Sequence, residues 1–190
     1  MKPIDLGRRD ALRSAFEKFA EQVMQQTEER VVQKRYLRPP GALPEMAFLA
    51  ACTRCGECVK ACPVDAIVKA PAAAALAAGT PYIDPLAQGC IACPDMPCAA
   101  ACPTEALTVP ADHWEGYRIG VLEFVPERCV TFKHVVCTAC ADACPQGEAA
   151  LVIDSHNHPV LRIEGCVGCG SCLKACITSP PSFTLRPAGG

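Results

Sequence analysis

The stretch Cys52-Thr53-Arg54-Cys55-Gly56-Glu57-Cys58-Val59-Lys60-Ala61-Cys62-Pro63 spaces its cysteines as C-x2-C-x2-C-x3-C-P. Variants of this pattern recur three times downstream. Cys90, Cys93, Cys98 and Cys102 are spaced C-x2-C-x4-C-x3-C and precede Pro103. Cys129, Cys137, Cys140 and Cys144 are spaced C-x7-C-x2-C-x3-C and precede Pro145. Cys166, Cys169, Cys172 and Cys176 repeat the first spacing, with Ile177 in place of proline. The groups begin at 52, 90, 129 and 166, so the period is 38, 39 and 37 residues, the mark of a repeated unit.

This spacing is that of bacterial-type iron–sulfur ligation. A [4Fe–4S] cube needs four thiolates at its corners. Three cysteines in a tight loop grip three irons while backbone N–H groups turn inward to the sulfides. The fourth cysteine lies one helical turn further on and points away, towards a second cube. The sixteen cysteines are therefore the candidate iron ligands of four [4Fe–4S] clusters, with none left over. If every iron is capped by protein, no corner is open to a substrate, and the clusters carry electrons rather than transform molecules.

Two other uses of cysteine fit less well. Structural zinc employs paired C-x2-C units separated by a longer loop, which does not explain three cysteines in a row with a fourth before proline. A secreted disulfide scaffold also has an even count, but closely spaced cysteines are poor long-range staples and the period then has no cause. A degenerate site would be sought in the third or fourth group, where the spacing is stretched or the proline missing.

Composition agrees. Sixteen cysteines in 190 residues is about 8 %, at the edge of the range that marks a cysteine scaffold. Apolar residues make up 51 % and aromatics only 5 %, with one Trp. The core is thus lean, and cluster binding is expected to supply much of the folding free energy. No run of about 18 apolar residues is free of charge, so no transmembrane helix is expected. A net charge of −2 disfavours a nucleic-acid binder. The charge is uneven: residues 1–38 hold nine basic and six acidic residues, and the rest nine and fourteen. With about −2 for each oxidised cube and its thiolates, the loaded protein would carry about −10, which predicts a basic docking surface on its partner.

The pattern divides the chain into a basic N-terminal helical arm (1–38), a four-cluster ferredoxin-like domain (39–186) and a frayed tail (187–190). Leu12, Phe16, Phe19, Val23, Thr27 and Val31 step by three or four through residues 8–35, predicting an amphipathic helix broken at Arg38-Pro39-Pro40-Gly41. Its Leu12/Phe16/Phe19/Val23 face is a candidate docking surface for a redox protein or, peripherally, a membrane. Short β-prone runs follow each group: Ala66–Val68, Leu107–Val109, Leu151–Ile153 and Phe183–Leu185. Others, at Tyr82–Asp84, Leu122–Val125 and Val160–Ile163, lead into the last three. Residues 151–163 read as a hairpin, and 72–78 as a brief linker helix. Short helices are expected after each C-x3-C. The fold class expected is α+β: a duplicated bacterial-ferredoxin-like domain of two pseudo-twofold dicluster modules. His113, His134, His156 and His158 are read as surface residues. Lys133 and His134, in the long insert of the third group, are candidates to tune that cluster's potential.

The four groups, with the lead-in 37–44, the segment 79–83 and the stretched third group, resemble the ferredoxin-type MauM/NapG family. More broadly, they resemble the four-cluster electron-transfer subunits of molybdopterin oxidoreductases. The resemblance covers about residues 38–187. It implies relay of single electrons from a quinol-linked or flavin donor to a catalytic oxidoreductase subunit, by a carrier that is not itself an enzyme. The period leaves open whether neighbouring groups share cubes or the sharing is nested, first with fourth and second with third; the resemblance favours the nested pattern. Members of the family commonly begin with a twin-arginine export signal. Here Arg8-Arg9 is followed by Glu17, Lys18, Glu21, Glu28, Glu29 and Arg30 instead of an apolar stretch, so the arm is read as a retained helix and the location as cytoplasmic, with periplasmic the alternative. The competing function is an iron–sulfur maturation or interaction factor for a redox enzyme.

Overall fold

The computed structural model of the chain describes residues 36–188. The amphipathic arm, its Leu12/Phe16/Phe19/Val23 face and Arg8-Arg9 lie outside the described residues, as do Gly189 and Gly190.

Elements are short because the cysteine motifs leave little chain between turns. In order they are α1 (Glu45–Ala51), α2 (Glu57–Lys60), β1 (Ile67–Lys69), a 3-10 segment (Ala72–Ala77), β2 (Pro81–Ile83), α3 (Pro97–Ala100) and β3 (Gly120–Phe124). Next come 3-10 turns at Pro126–Arg128 and Val130–Lys133, then α4 (Ala139–Asp142), a 3-10 turn at Gly147–Ala149, β4 (Leu151–Ile153), β5 (Pro159–Leu161), α5 (Ser171–Ala175) and β6 (Phe183–Pro187).

The strands make three antiparallel pairs that repeat one plan twice. β1 pairs with β2, Ile67 opposite Ile83; β4 pairs with β5, Leu151 opposite Leu161. Each of these inner hairpins joins one cysteine group to the next. Outside them, β3 pairs with β6 from Gly120↔Pro187 to Phe124↔Phe183. The matching outer pair of the first half shrinks to a single bridge, Ala42↔Leu107, so the strand expected at 107–109 is not formed. Each half therefore reads outer strand, cysteine group, hairpin, cysteine group, outer strand. This is the duplicated α+β dicluster architecture expected, and the 151–163 hairpin falls in place.

Two boundaries differ from expectation. Tyr36, Leu37 and Arg38 belong to the body, each under a tenth exposed, and the Leu37 carbonyl accepts from Ile83 N at 2.7 Å. At the other end β6 runs through Pro187, and Ala188 N donates to the Ile119 carbonyl at 3.0 Å, so fraying does not begin at 187. The four helices α2–α5 also lie inside the motifs, carrying the third cysteine of each group, rather than after them.

The cysteines are part of the core. Seven of the sixteen are buried; Cys58, Cys90, Cys98 and Cys169 pack with Phe48, Ile83, Met96 and Leu107, and Cys140 and Cys172 with Leu122, Leu151, Leu173 and Phe183. One buried cation braces the first half. Arg38 forks onto Glu45, Nε to Oε2 at 2.9 Å and Nη2 to Oε1 at 2.6 Å. Its Nη1 donates to Thr80 Oγ1 (2.9 Å) and to the Pro81 carbonyl (2.8 Å). The guanidinium lies 4.6 Å from the centre of the Phe48 ring, a cation–π distance.

Candidate iron–sulfur sites

Four hollows lined almost wholly by carbon and sulfur lie along the molecule, and each gathers four cysteines. Site 1 has Cys52, Cys55, Cys58 and Cys102. Site 2 has Cys62, Cys90, Cys93 and Cys98. Site 3 has Cys144, Cys166, Cys169 and Cys172. Site 4 has Cys129, Cys137, Cys140 and Cys176. Every site takes the first three cysteines of one group and the fourth of its neighbour. All sixteen predicted residues are thereby placed, with four at each hollow.

The sharing is between neighbouring groups, first with second and third with fourth. This corrects the nested pattern that the resemblance favoured. The physical cause is the inner hairpin: β1–β2 folds the second group back on the first, and β4–β5 does the same for the fourth on the third. α2 then packs on α3, and α4 on α5.

The fit to a cube rather than a single ion rests on the donor set and its spread. All sixteen cysteines are free thiols. Among the described residues no three His, Cys, Asp or Glu side chains converge closely enough to hold one metal ion; the four sulfurs stand around a space instead. Those spaces measure about 380, 340, 280 and 320 Å³ for sites 1 to 4, mouths included. Burial first, and neighbouring thiols second, push Cys58 up to about 11. Burial likewise carries Cys90 and Cys98 up to about 12 and Cys140 to about 11, and raises Cys172 as well. Thiolates so placed need a cationic core among them, which iron supplies.

The ligand loops turn tightly at residues with left-handed backbone. Arg54 and Gly56, Ala92 and Met96, and Gly168 and Gly170 all have positive φ. Gly168 is the tightest case. A Cβ there would meet the Gly120 carbonyl oxygen at 2.1 Å at a φ of +69°, so only glycine fits.

The sites follow one another in single file. Cys58 and Cys98 are close enough for electrostatic influence across sites 1 and 2, and Cys140 and Cys172 across sites 4 and 3. The halves meet where Cys90 N donates to the Cys169 carbonyl at 2.9 Å and Ser171 Oγ to the Cys90 carbonyl at 2.9 Å. Sites 2 and 3 are thus joined through their own ligands, leaving sites 1 and 4 at the ends. Trp114, the single tryptophan, lines site 2 and donates Nε1–H to the Cys93 carbonyl at 2.8 Å.

The histidine readings need one correction. His134 and Lys133 are exposed. It is His158 that reaches towards a site: half-buried, it stacks on Phe132 at 4.0 Å and 7° and places Nδ1 3.2 Å from Thr131 Oγ1. The residues missed in the sequence are hydroxyls two positions after a cysteine. Thr131 Oγ1 lies 3.2 Å from Cys129 Sγ, and Thr178 Oγ1 3.2 Å from Cys176 Sγ. The C-x-[ST] pattern was the available signal.

Family models for a 4Fe-4S dicluster domain match residues 51–106 and 89–148, and one for a 4Fe-4S binding domain matches 163–178. "Ferredoxin-type protein NapG" of Escherichia coli is 36 % identical over 162 residues, 80 % of this chain and 70 % of its own length. "Methylamine utilization ferredoxin-type protein MauM" of Methylophilus methylotrophus is 41 % identical over 159 residues, again 80 % and 70 %. The chain belongs to the NapG/MauM family of ferredoxin-type proteins. The MauM of Paracoccus denitrificans extends the likeness, 38 % identical over 164 residues. No solved structure matches. One dicluster match spans the second and third groups, yet in this NapG/MauM member the hollows are shared within the halves, not across that boundary. The family is one of 4Fe-4S electron-transfer proteins. No helix among the described residues is long and apolar enough to cross a membrane.

Proposed function

We propose that the sixteen cysteines hold four [4Fe–4S] clusters in a single file and that the protein relays single electrons along it. The donor would be a quinol-linked or flavin component and the acceptor the catalytic subunit of an oxidoreductase. When bound, each cube supplies one-electron redox chemistry at a potential set by its surroundings. The protein's own residues fix each cube with four thiolates, exclude water with an apolar lining and keep the files of the two halves in contact at Cys90 and Cys169.

The observation that carries this reading is the composition of each hollow: four cysteines, three from one group and one from its neighbour. No site is short of a thiol, so none has a corner reserved for substrate. The stretched third group and the proline-free fourth group supply complete sets too, which argues against a degenerate site.

The test is iron and acid-labile sulfide content of anaerobically purified protein, with electron paramagnetic resonance after reduction. The reading expects about sixteen irons and as many sulfides per chain, and oxidation of the reduced protein by an oxidoreductase partner without turnover of substrate by the protein alone. Bound zinc without sulfide would end it.

A further inference from the structure

Site 4 differs from the other three in how its sulfurs are hydrogen-bonded. At Cys129, Thr131 Oγ1 lies 3.2 Å from Sγ. At Cys176, Thr178 Oγ1 lies 3.2 Å from Sγ and Ser182 N donates to it at 3.3 Å. A coordinated thiolate carries no proton, so at each sulfur–hydroxyl contact the hydroxyl must donate. Both hydroxyl oxygens are then free to accept from a further group. Thr131 Oγ1 faces His158 Nδ1 at 3.2 Å, and Thr178 Oγ1 faces Ser182 Oγ at 3.1 Å. The Cys129 sulfur is thus the end of a short chain of donors, in which the outer bond polarises the inner one, while on the Cys176 sulfur two hydroxyls and one backbone N–H converge, Ser182 Oγ itself standing 3.6 Å from Sγ.

The other sites lack this arrangement. At site 1, Cys102 Sγ accepts from Leu107 N at 3.4 Å, with Thr104 Oγ1 at 3.8 Å. At site 2 the donors are backbone only, Ala66 N to Cys62 Sγ (3.3 Å) and Ala92 N to Cys90 Sγ (3.4 Å). At site 3, Ser171 Oγ stands 3.8 Å from Cys169 Sγ but spends its proton on the Cys90 carbonyl. Burial supports the contrast. Thr131 and Ser182 are 4 % and 1 % exposed, and a buried hydroxyl is costly unless it is bonded. Both are bonded into the surroundings of site 4.

We propose that Thr131, Thr178 and Ser182 are positioning residues that make the cluster of site 4 the highest in reduction potential of the four, so that it is the end of the file where an electron comes to rest. This rests on the four-cluster reading above. Donors aimed at a thiolate sulfur stabilise the reduced, more negative cube more than the oxidised one, and so raise its potential. The electron is conserved within the protein: the cube of site 3 is oxidised by one electron as that of site 4 is reduced by one. Site 4 lies at the end of the file, and its lining reaches the surface at an apolar side chain, Ile177, 65 % exposed. Electrons gathering there are presented to a partner.

The experiment is a redox titration of the holoprotein followed by electron paramagnetic resonance. Cys137→Ser identifies the site 4 signal. In the native protein that signal is the first to be reduced. Thr178→Val and Thr131→Val, each close in size to threonine, lower the equilibrium constant for reducing site 4 by about tenfold, given the strength of hydrogen bonds to charged groups. A tenfold change is about 59 mV for a one-electron couple. The other three midpoints stay in place, and Thr178→Ser restores the native value. Iron content checked beforehand separates failure of the four-cluster reading from failure of this one. A site 4 midpoint that is not the highest, that ignores both valines, or that moves together with all the others would overturn the assignment. The two threonines act on different sulfurs, so loss of a cluster in one variant leaves the other as the test.

Discussion

Replacing Arg38 by alanine should loosen site 1 from a distance. Arg38 gives its hydrogen bonds to Glu45, Thr80 and Pro81. It stacks on Phe48, which lines site 1, and ties the chain before α1 to Thr80 and to the Pro81 carbonyl at the start of β2. Removing one partner of a buried ion pair costs about 3–5 kcal/mol, because the other charge is left stranded. Glu45 retains 21 % of its side-chain exposure, so water partly rescues it and the lower end, about 3 kcal/mol, applies. At 1.36 kcal/mol per decade this is about a hundredfold in the population of the locally opened state. The assay is bleaching of cluster absorbance by an iron chelator under anaerobic conditions. Reclosing must be fast relative to iron capture, so that the rate follows the open population. Arg38→Ala should bleach one quarter of the absorbance first, about a hundredfold faster than the native protein, with sites 3 and 4 unaffected. Arg38→Lys, which keeps the charge but not the fork, should fall between. Bleaching within a factor of three of the native rate, or uniform loss from all sites, would refute the argument that this cation braces site 1.

Cys102→Ala should damage the site formed by the first group while Cys90, Cys93 and Cys98 still hold theirs; loss of the site 2 signal instead would contradict sharing between neighbours. Gly168→Ala drives a Cβ to 2.1 Å from the Gly120 carbonyl oxygen, and should abolish incorporation at site 3, seen as a drop in iron and sulfide per chain. Trp114 lines site 2, so its fluorescence should be quenched in the holoprotein by the broad absorption of the cluster and recover on chelation with the kinetics of site 2. Thiols held up to about 11 or 12 at Cys58, Cys90, Cys98 and Cys140 are protonated at neutral pH and must lose their protons to iron. Loading should therefore release protons into an unbuffered solution, and its equilibrium should improve as pH rises from about 7 towards about 9.

The cofactor chemistry was legible because ligation is local. Three cysteines in seven residues report their own geometry, and the 151–163 hairpin announces itself by two short apolar runs, Leu151–Ile153 and Val160–Ile163, around a polar turn. What sequence could not give was anything decided by distant packing. Arg38 reads as the last cation of a basic arm, and only the approach of Thr80, Pro81 and Phe48, brought in by β2 and α1, makes it a buried brace. Leu107–Val109 has the composition of a strand but forms a single bridge, Leu107 to Ala42, flanked by the Thr108 N to Gly41 carbonyl bond, since the chain before the first group is turned by Pro39 and Pro40 and offers no longer partner. The insert of the third group drew attention to His134 because it is near in sequence. The 3-10 turn at Val130–Lys133 points Thr131 inward and leaves His134 outside, and the histidine that arrives beside Thr131 comes from the turn of the β4–β5 hairpin.

The sharing pattern follows from the length of chain available. A fourth cysteine can reach the neighbouring cube only if the next group is folded back on its own. The inner links do this: residues 67–83 make β1–β2 and residues 151–161 make β4–β5. The link between the second and third groups makes no hairpin; it enters β3, whose partner β6 lies beyond the fourth group. That outer pairing closes the second half on itself, and the halves meet around Cys90 and Cys169, where Ser171 donates to the Cys90 carbonyl, Lys174 donates to the Ala87 carbonyl, and Val167 and Cys169 join the core of the first half. A nested arrangement would need the first group to pair with the fourth, whereas the fourth is held to the third by the β4–β5 hairpin. Two pairs, each closed by its own hairpin and joined to the other where Cys90 meets Cys169 and Ser171, give a file with two ends, and a file with distinguishable ends is what a directional relay requires.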